Sequence, residues 1–279
     1  MKDRKAPQAR PPADPASETW NKLPWKKLEK HTFRIQKRIY RASQRGNVRA
    51  VHKLQKLLTK SEAARLVAVR RVTQDNQGKK TAGVDGVKSV PPKQRFDLVK
   101  RIHPNHWKKS RSRPCRRVWI PKPGKTEKRP LGIPTMETRA QQALGKMALE
   151  PEWEARFEPN SSGFRPGRSC HDAIEAILNA IRYKPKCVFA ADISGCFDHI
   201  NHSALLAKLN TYPALRHLVK RWLKAGVMEN GAWFPTEEGT PQGSLCKALH
   251  NPPYAKQVTM QRDVRKTVIF GHFQLNSFA

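Results

Sequence analysis

From Lys26 to about Arg71 the apolar positions repeat with a helical period. Ile35, Ile39 and Ala42 recur at i, i+4 and i+7, and Val48, Val51, Leu54 and Leu58 carry an apolar stripe onward. Ser61 is placed to cap a further helix running through Val72. Residues 73–93 lose the period and gather turn formers, Asn76-Gln77-Gly78, Ala82-Gly83, Asp85-Gly86 and Pro91-Pro92. At 115–134 the pattern shortens to two strand-like runs, Arg117-Val118-Trp119-Ile120-Pro121 and Arg129-Pro130-Leu131-Gly132-Ile133-Pro134. The polar link between them predicts a hairpin. Residues 137–156 read as a helix with Leu144, Met147 and Ala148 inward. A loop from Glu158 to Arg168 leads to a helix capped near Ser169, its apolar side Ala173, Ile174, Ile177, Leu178 and Ile181. Cys187 to Ile193 has the composition of a buried strand. Two helices, about 202–210 and 213–224, then precede a hairpin at Asn230-Gly231, and no internal repeat is present.

Charge changes this picture more than any other property. The 279 residues hold 55 Lys and Arg against 22 Asp and Glu, a net +33, with 38% apolar residues. Residues 1–130 contain 37 basic and 9 acidic side chains, net +28, whereas residues 131–279 are net +5. So polarised an excess calls for a polyanion, which a basic protein binds by releasing counterions. Composition alone is shared with ribosomal proteins and polybasic membrane binders. On the first long helix Arg34, Arg38, Arg41 and Arg45 fall within roughly 60° of arc at 100° per residue, a stripe of like charges that repel unless an anion compensates them. A solvated basic face is the alternative. Residues 1–19, rich in Pro, Ala and charge, are expected to be disordered.

The five cysteines are odd in number and form no CxxC, which disfavours a disulfide framework or zinc ribbon. No run approaches the ~20 apolar residues of a membrane span, and no signal-peptide core is present, so a soluble protein with no membrane partner is expected.

Candidate chemistry begins at Asp192-Ile193-Ser194-Gly195-Cys196-Phe197-Asp198. An apolar strand ending in an aspartate, then a turn and a second aspartate, presents carboxylates at a sheet edge and suits Mg²⁺, although strand-end aspartates also serve as caps and turn formers. Cys196, His199 and His202, spaced by three, overlap it as a competing zinc arrangement without a second ligand pair. His103 and His106 read as surface residues. In the hairpin, Lys122, Lys125, Lys128 and Arg129 are candidates to clamp a triphosphate or template backbone, with a solvated turn as the alternative, above all for Lys125 and Lys128. Phe164-Arg165-Pro166-Gly167-Arg168-Ser169 repeats the theme at a helix entry, and Gly239-Thr240-Pro241-Gln242-Gly243 is a tight polar loop.

In order, these blocks resemble the reverse transcriptases and maturases encoded in group II introns. The stretch from Leu54 to Gly86, ending Thr-Ala-Gly-Val-Asp-Gly at 81–86, is similar to that family's N-terminal extension; Ile-Pro-Lys at 120–122 and Arg-Pro-Leu-Gly-Ile-Pro at 129–134 resemble its fingers hairpin. Phe-Arg-Pro-Gly-Arg-Ser at 164–169 resembles its template-contacting block, residues 192–202 its first palm motif, and Gly-Thr-Pro-Gln-Gly at 239–243 the block before its catalytic aspartate pair. The resemblance implies an α+β fold, a basic helical extension followed by the fingers and an incomplete palm of a right-hand polymerase. It makes Asp192 a catalytic Mg²⁺ ligand and Phe197 the gate against a 2′-hydroxyl. Lys122 and Arg129 would touch the incoming triphosphate, Arg165 the template, and Gln242 the nucleotide or template. Arg34, Arg38, Arg41, Arg45, Arg70 and Arg71 would contact group II intron RNA, with a DNA target as a possible second partner.

The expected division is disorder over 1–19, the extension over 20–90, fingers and partial palm over 91–243, and a divergent tail over 244–279. After Gly243 the family pattern requires an apolar helix and Tyr-x-Asp-Asp, whereas this chain has Ser244-Leu245-Cys246-Lys247 and then Pro252-Pro253. Beyond Asp198 the only acidic residues are Glu229, Glu237, Glu238 and Asp263. A chain truncated before the aspartate pair is therefore expected to bind RNA without efficient polymerisation. A splicing-assistance fragment, a non-functional remnant, or one half completed by a C-terminal polypeptide stands beside that reading. The compartment implied is a bacterial cytoplasm, or an organellar matrix or stroma.

Overall fold

The computed structural model describes residues 15–108, 112–122, 124, 126–159, 161–163, 165–183, 187–191, 198–240 and 267–271. Three helices, α2 (Trp25–Gln44), α3 (Val48–Lys60) and α4 (Glu62–Arg70), follow a short α1 (Pro15–Asn21). Composition predicts disorder as far as residue 19, but α1 starts at Pro15. Its anchor is Trp20, fully buried, with ring centroids 5.1 Å from both Trp25 and Phe96 and its indole N–H donating to Gln74 at 2.8 Å. Asn47 caps α3 through Ala50 N–H, whereas Ser61 stands at the α4 N-cap without a side-chain bond. Beyond α4 the chain makes a π-helical turn, Arg71–Asp75, and a 3₁₀ turn, Gln77–Lys80.

Helix α5 (Pro92–Arg101) is absent from the sequence expectations. The Pro91-Pro92 pair that reads as a turn places Pro92 in the first helical turn, where its missing N–H and fixed φ are tolerated. A single turn, α6 (Pro104–Trp107), follows it. The hairpin is present as β1 (Cys115–Pro121) and β2 (Lys128–Ile133), antiparallel, with Trp119 opposite Pro130 and Ile120 opposite Arg129. Helix α7 (Met136–Glu154) buries Leu144, Met147, Ala148 and Leu149. Helix α8 (Cys170–Ile181) begins with a complete capping box between Ser169 and Asp172. Its apolar side lies open: no α8 residue is buried, and Ile174, Leu178 and Ile181 are exposed.

After β3 (Cys187–Ala191) come α9 (His202–Leu209), α10 (Pro213–Leu223) and the hairpin β4 (Val227–Glu229) and β5 (Ala232–Phe234). Asn230 and Gly231 both take positive φ at its turn, 48° and 82°. Strand β4 joins β1 in parallel, giving the sheet order β2-β1-β4-β5, and β6 (Thr267–Gly271) pairs in parallel with β3.

One continuous core runs through the extension and the rest. Ile35, Ile39, Val51, Leu58 and Val67 pack with Leu144, Met147 and Leu149 of α7, and the cluster continues through Leu205, Leu209, Leu215 and Trp222 of α9 and α10. The mostly helical fold with a small sheet matches a basic helical extension joined to incomplete polymerase fingers and palm.

Candidate nucleic-acid interface and nucleotide cleft

Helix α2 is divided along its length. Ile35 and Ile39 face the core, while Arg34, Arg38, Arg41 and Arg45 are exposed. Among the described residues none of these four guanidinium groups pairs with a carboxylate. Arg70 is different. It lies 4.8 Å over the Trp25 ring and pairs with Glu29 at 3.3 Å and Asp75 at 3.7 Å, which uses its cation to fasten α4 to α2. Arg71 is exposed at the start of the π turn.

Strand register sorts the fingers hairpin into two faces. Alternation places Arg117, Trp119, Pro130 and Gly132 on one side and Ile120 with Arg129 on the other. Arg117, Pro130 and Gly132 of the first side wall a cleft of about 420 Å³, whose other lining residues are Asp198, Val227 and the segment from Pro235 to Thr240. Three separate blocks of the sequence thus meet here: the hairpin, the residues following β3, and the loop that leads to Gln242. Gly239 N–H donates to Ile200 O at 2.9 Å, and the buried His202 Nε2 donates to Gly239 O at 2.7 Å, which fixes that loop against α9. Arg117 meets Glu229 at 3.4 Å, and the Trp119 indole N–H donates to the same carboxylate.

The other hairpin candidates are placed elsewhere. Lys122 pairs with Glu127 across the turn. Arg129 is half-buried on the face away from the cleft, and its Nε has no hydrogen-bond partner among the described residues. Arg165 is almost fully enclosed. It grips Glu154 (Nη2 at 2.7 Å, Nε at 3.2 Å) and donates to the carbonyls of Glu158 and Ser161 at 2.7 Å each, beneath the Phe157 ring. Every nitrogen of that guanidinium is occupied in closing its own loop. Asp192, Phe197 and Gln242 lie outside the described residues.

Two arrangements were missed by sequence reasoning. Arg139 donates to the carbonyls of Pro134 (2.9 Å), Gly78 (3.0 Å) and Thr81 (2.7 Å), while Arg116 donates to Ala82 O at 3.0 Å. Together they strap the 76–86 segment of the extension onto the root of the fingers. Burial lowers the pKa of Arg139, opposed by nearby Asp85. The available hint was a cation in the first turn of α7, where the helix dipole disfavours it. The second is a buried chain: Gln55 donates to Glu152 at 2.7 Å, and Thr211 donates to Gln55 at 2.8 Å. It links α3, α7 and the α9–α10 turn.

Among the described residues no group of three or more His, Cys, Asp or Glu is placed to hold a metal ion. His202 is turned to Gly239 O and the exposed His199 to Glu238, so the two histidines of the competing zinc arrangement do not converge. Asp198, Glu237 and Glu238 line the cleft without forming a magnesium site by themselves, and no step through a metal follows from them. No helix among the described residues is long and apolar enough to cross a membrane.

Comparison with known proteins places these features in one family. The N-terminal domain of reverse transcriptase matches residues 20–102, and the reverse transcriptase (RNA-dependent DNA polymerase) domain matches residues 120–266, beyond Gly243 where the motif resemblance stops. The group II intron-encoded protein LtrA of Lactococcus lactis subsp. cremoris is 38% identical over 139 residues, covering 49% of this chain and 23% of LtrA. Protein YkfC of Escherichia coli K12 is 33% identical over 208 residues, 71% of this chain and 54% of YkfC. Maturase-like protein 1 of Euglena gracilis is 31% identical over 199 residues, 66% of this chain and 41% of that protein. The matches thus span from about a quarter to about half of these relatives' lengths. With the extension and the cleft-forming hairpin arranged as above, the chain belongs to the group II intron-encoded reverse transcriptase and maturase family, as its N-terminal domain and part of its reverse transcriptase domain.

Proposed function

We propose that this chain binds structured group II intron RNA through its helical extension and, as a 279-residue chain, does not polymerise DNA efficiently. The observation that carries the binding is the α2 stripe, four exposed arginines without a carboxylate among the described residues. Like charges at helical i, i+4 spacing destabilise a helix by about 0.2–0.5 kcal/mol per pair, and a phosphate backbone removes that cost. The name of LtrA, a group II intron-encoded protein, supports an intron as the RNA source. A DNA target would be a second polyanion for the same surface. The expected compartment is a bacterial cytoplasm or an organellar matrix or stroma.

Against polymerisation stands the census of acids. Asp192 is the magnesium ligand that the resemblance implies, and no adjacent aspartate pair follows it. A two-metal transfer needs carboxylates from both blocks. The open apolar side of α8 favours a related reading, a chain whose palm is completed by a C-terminal polypeptide.

A salt-titrated binding measurement with structured intron RNA tests the first claim: affinity should fall steeply with salt, and a flat response would remove phosphate contacts as its basis. Primer extension on an RNA template tests the second. Incorporation that disappears in Asp192→Ala would overturn it.

A further inference from the structure

We infer that RNA docks on a second cationic surface, built from α3 and α10, in addition to the α2 stripe. The inference rests on the RNA-binding reading and extends it to residues which that reading does not use. The chain has no acidic residue between Glu29 and Glu62, and none between Asp198 and Glu229. Helices α3 and α10 fall inside these two gaps. On α3, Arg49, Lys53, Lys56 and Lys60 are all exposed and fall within roughly 60° of arc at 100° per residue, opposite the buried Val51 and Leu58. On α10 and its C-cap, Arg216, Lys220 and Lys224 are exposed at i, i+4 and i+8, opposite the buried Leu215, Leu218 and Trp222. None of these cations meets a carboxylate among the described residues. By contrast, Lys22 of α1 meets Glu18 at 2.9 Å, Arg101 of α5 meets Glu137 at 3.6 Å and Lys146 of α7 meets Glu150 at 3.3 Å.

The fold joins the two stripes. His52 of α3 donates to Asn210 O at 2.6 Å, and the Thr59 and Tyr212 hydroxyls share a hydrogen bond of 2.6 Å, which holds the α9–α10 turn against α3. Further along, α6 packs on α10. Burial, Arg65, His106 and Lys60 together lower the pKa of His103 at the α6 N-cap, so the charge of Lys60 reaches the edge of α6. Like charges at i, i+4 oppose a helix. Arg49 also stands in the first turn of α3, where the helix dipole disfavours a cation and no acid offsets it. A phosphate backbone compensates both, and its binding releases counterions. The exposed residues of α10 are Pro213, Arg216, His217 and Lys220, which give a lipid interface no apolar wedge. The charge therefore fits a nucleic-acid backbone, and RNA is the occupant.

The test uses the full chain and a fluorescein-labelled RNA stem-loop. Arg49→Gln, Lys53→Gln, Lys56→Gln and Lys60→Gln together should lower the steepness of log affinity against log salt by about 3, at 0.7–0.9 per phosphate contact. Arg216→Gln, Lys220→Gln and Lys224→Gln together should lower it by about 2 on the same scale. Both combined variants should keep the wild-type urea midpoint, because every replaced side chain is exposed. Acetylation of the wild-type chain, read by mass spectrometry, needs no substitution: the stem-loop should protect Lys53, Lys56, Lys60, Lys220 and Lys224 and leave Lys22 reactive. An unchanged slope in either variant, or equal reactivity of these lysines with and without RNA, would overturn the shared surface. Protection by a DNA duplex or by phosphatidylserine vesicles but not by the stem-loop would overturn RNA as its occupant. Failure of wild type to bind the stem-loop in a salt-dependent way would instead remove the RNA-binding reading beneath it.

Discussion

The side-chain amide of Gln55 donates to the Glu152 carboxylate at 2.7 Å, in an interior where Gln55 is fully buried and Glu152 is 1% exposed. Arg156 meets the other carboxylate oxygen at 2.7 Å, and Thr211 donates to Gln55. Desolvation raises the Glu152 pKa, with Arg156 and Gln55 opposing it. For a carboxyl whose folded pKa is raised, the native state holds the proton more tightly than the unfolded chain. Stability from this group is therefore greatest at acid pH and declines as pH rises from the unfolded carboxylate pKa through the folded one. Glu152→Gln removes the titration. It should accordingly gain stability relative to wild type as pH is raised from the acid side of the carboxylate range toward neutrality. Paired urea melts across that range check it; a difference independent of pH would show that burial does not perturb this carboxyl.

Gln55→Ala should be costlier than its size suggests. It leaves Glu152 without a buried donor and Thr211 without its acceptor, and a loss of about 3 kcal/mol is expected. The same melts measure it, and a loss below about 1 kcal/mol would mean that the network relaxes onto other partners.

The strap between extension and fingers depends on a close approach. A Cβ on Gly83 would lie 2.8 Å from Thr135 Cα and 2.9 Å from Pro134 O, both backbone atoms that do not yield easily. Gly83→Ala should destabilise by about 1–3 kcal/mol. Arg139→Ala should free the same segment by removing three carbonyl contacts, and tryptic cleavage after Lys79 and Lys80 should then accelerate. Unchanged cleavage would mean that Arg116 and local turns suffice.

Two sets of arginines should separate cleanly in one experiment. Replacing Arg34, Arg38, Arg41 and Arg45 by Gln should lower the steepness of log affinity against log salt by about 3, at 0.7–0.9 per phosphate contact, with little change in stability. Arg165→Gln should do the reverse, reducing stability by about 2 kcal/mol through loss of its bond pair to Glu154 while leaving the salt slope alone. A changed slope for Arg165→Gln would show that its loop touches RNA.

Much of the architecture was legible in the chain itself. Helical periodicity marked α2, α3, α7, α9 and α10, alternation marked the β1–β2 hairpin, and Asn230-Gly231 marked the later turn, because each is a local consequence of side-chain spacing and backbone freedom. The sign and position of the charge were legible too, since composition is independent of fold. Helix α5 was not, because Pro91-Pro92 is equally compatible with a turn and a helix start.

What tertiary structure alone decided is the use made of each arginine. Arg34, Arg70, Arg129, Arg139 and Arg165 are the same residue type. One is open to solvent, one holds α4 to α2, one faces away from the cleft, one straps two segments and one closes its own loop. A guanidinium reaches several ångströms and binds whichever carbonyl or carboxylate the fold brings near. Those partners lie up to 61 residues away, as with Arg139 and Gly78, so no local pattern encodes them. The parallel pairing of β1 with β4, which brings Glu229 to Arg117 and Trp119 from more than a hundred residues away, is decided in the same way. The residues of the cleft are in the sequence; their meeting follows from the shared core and the sheet order.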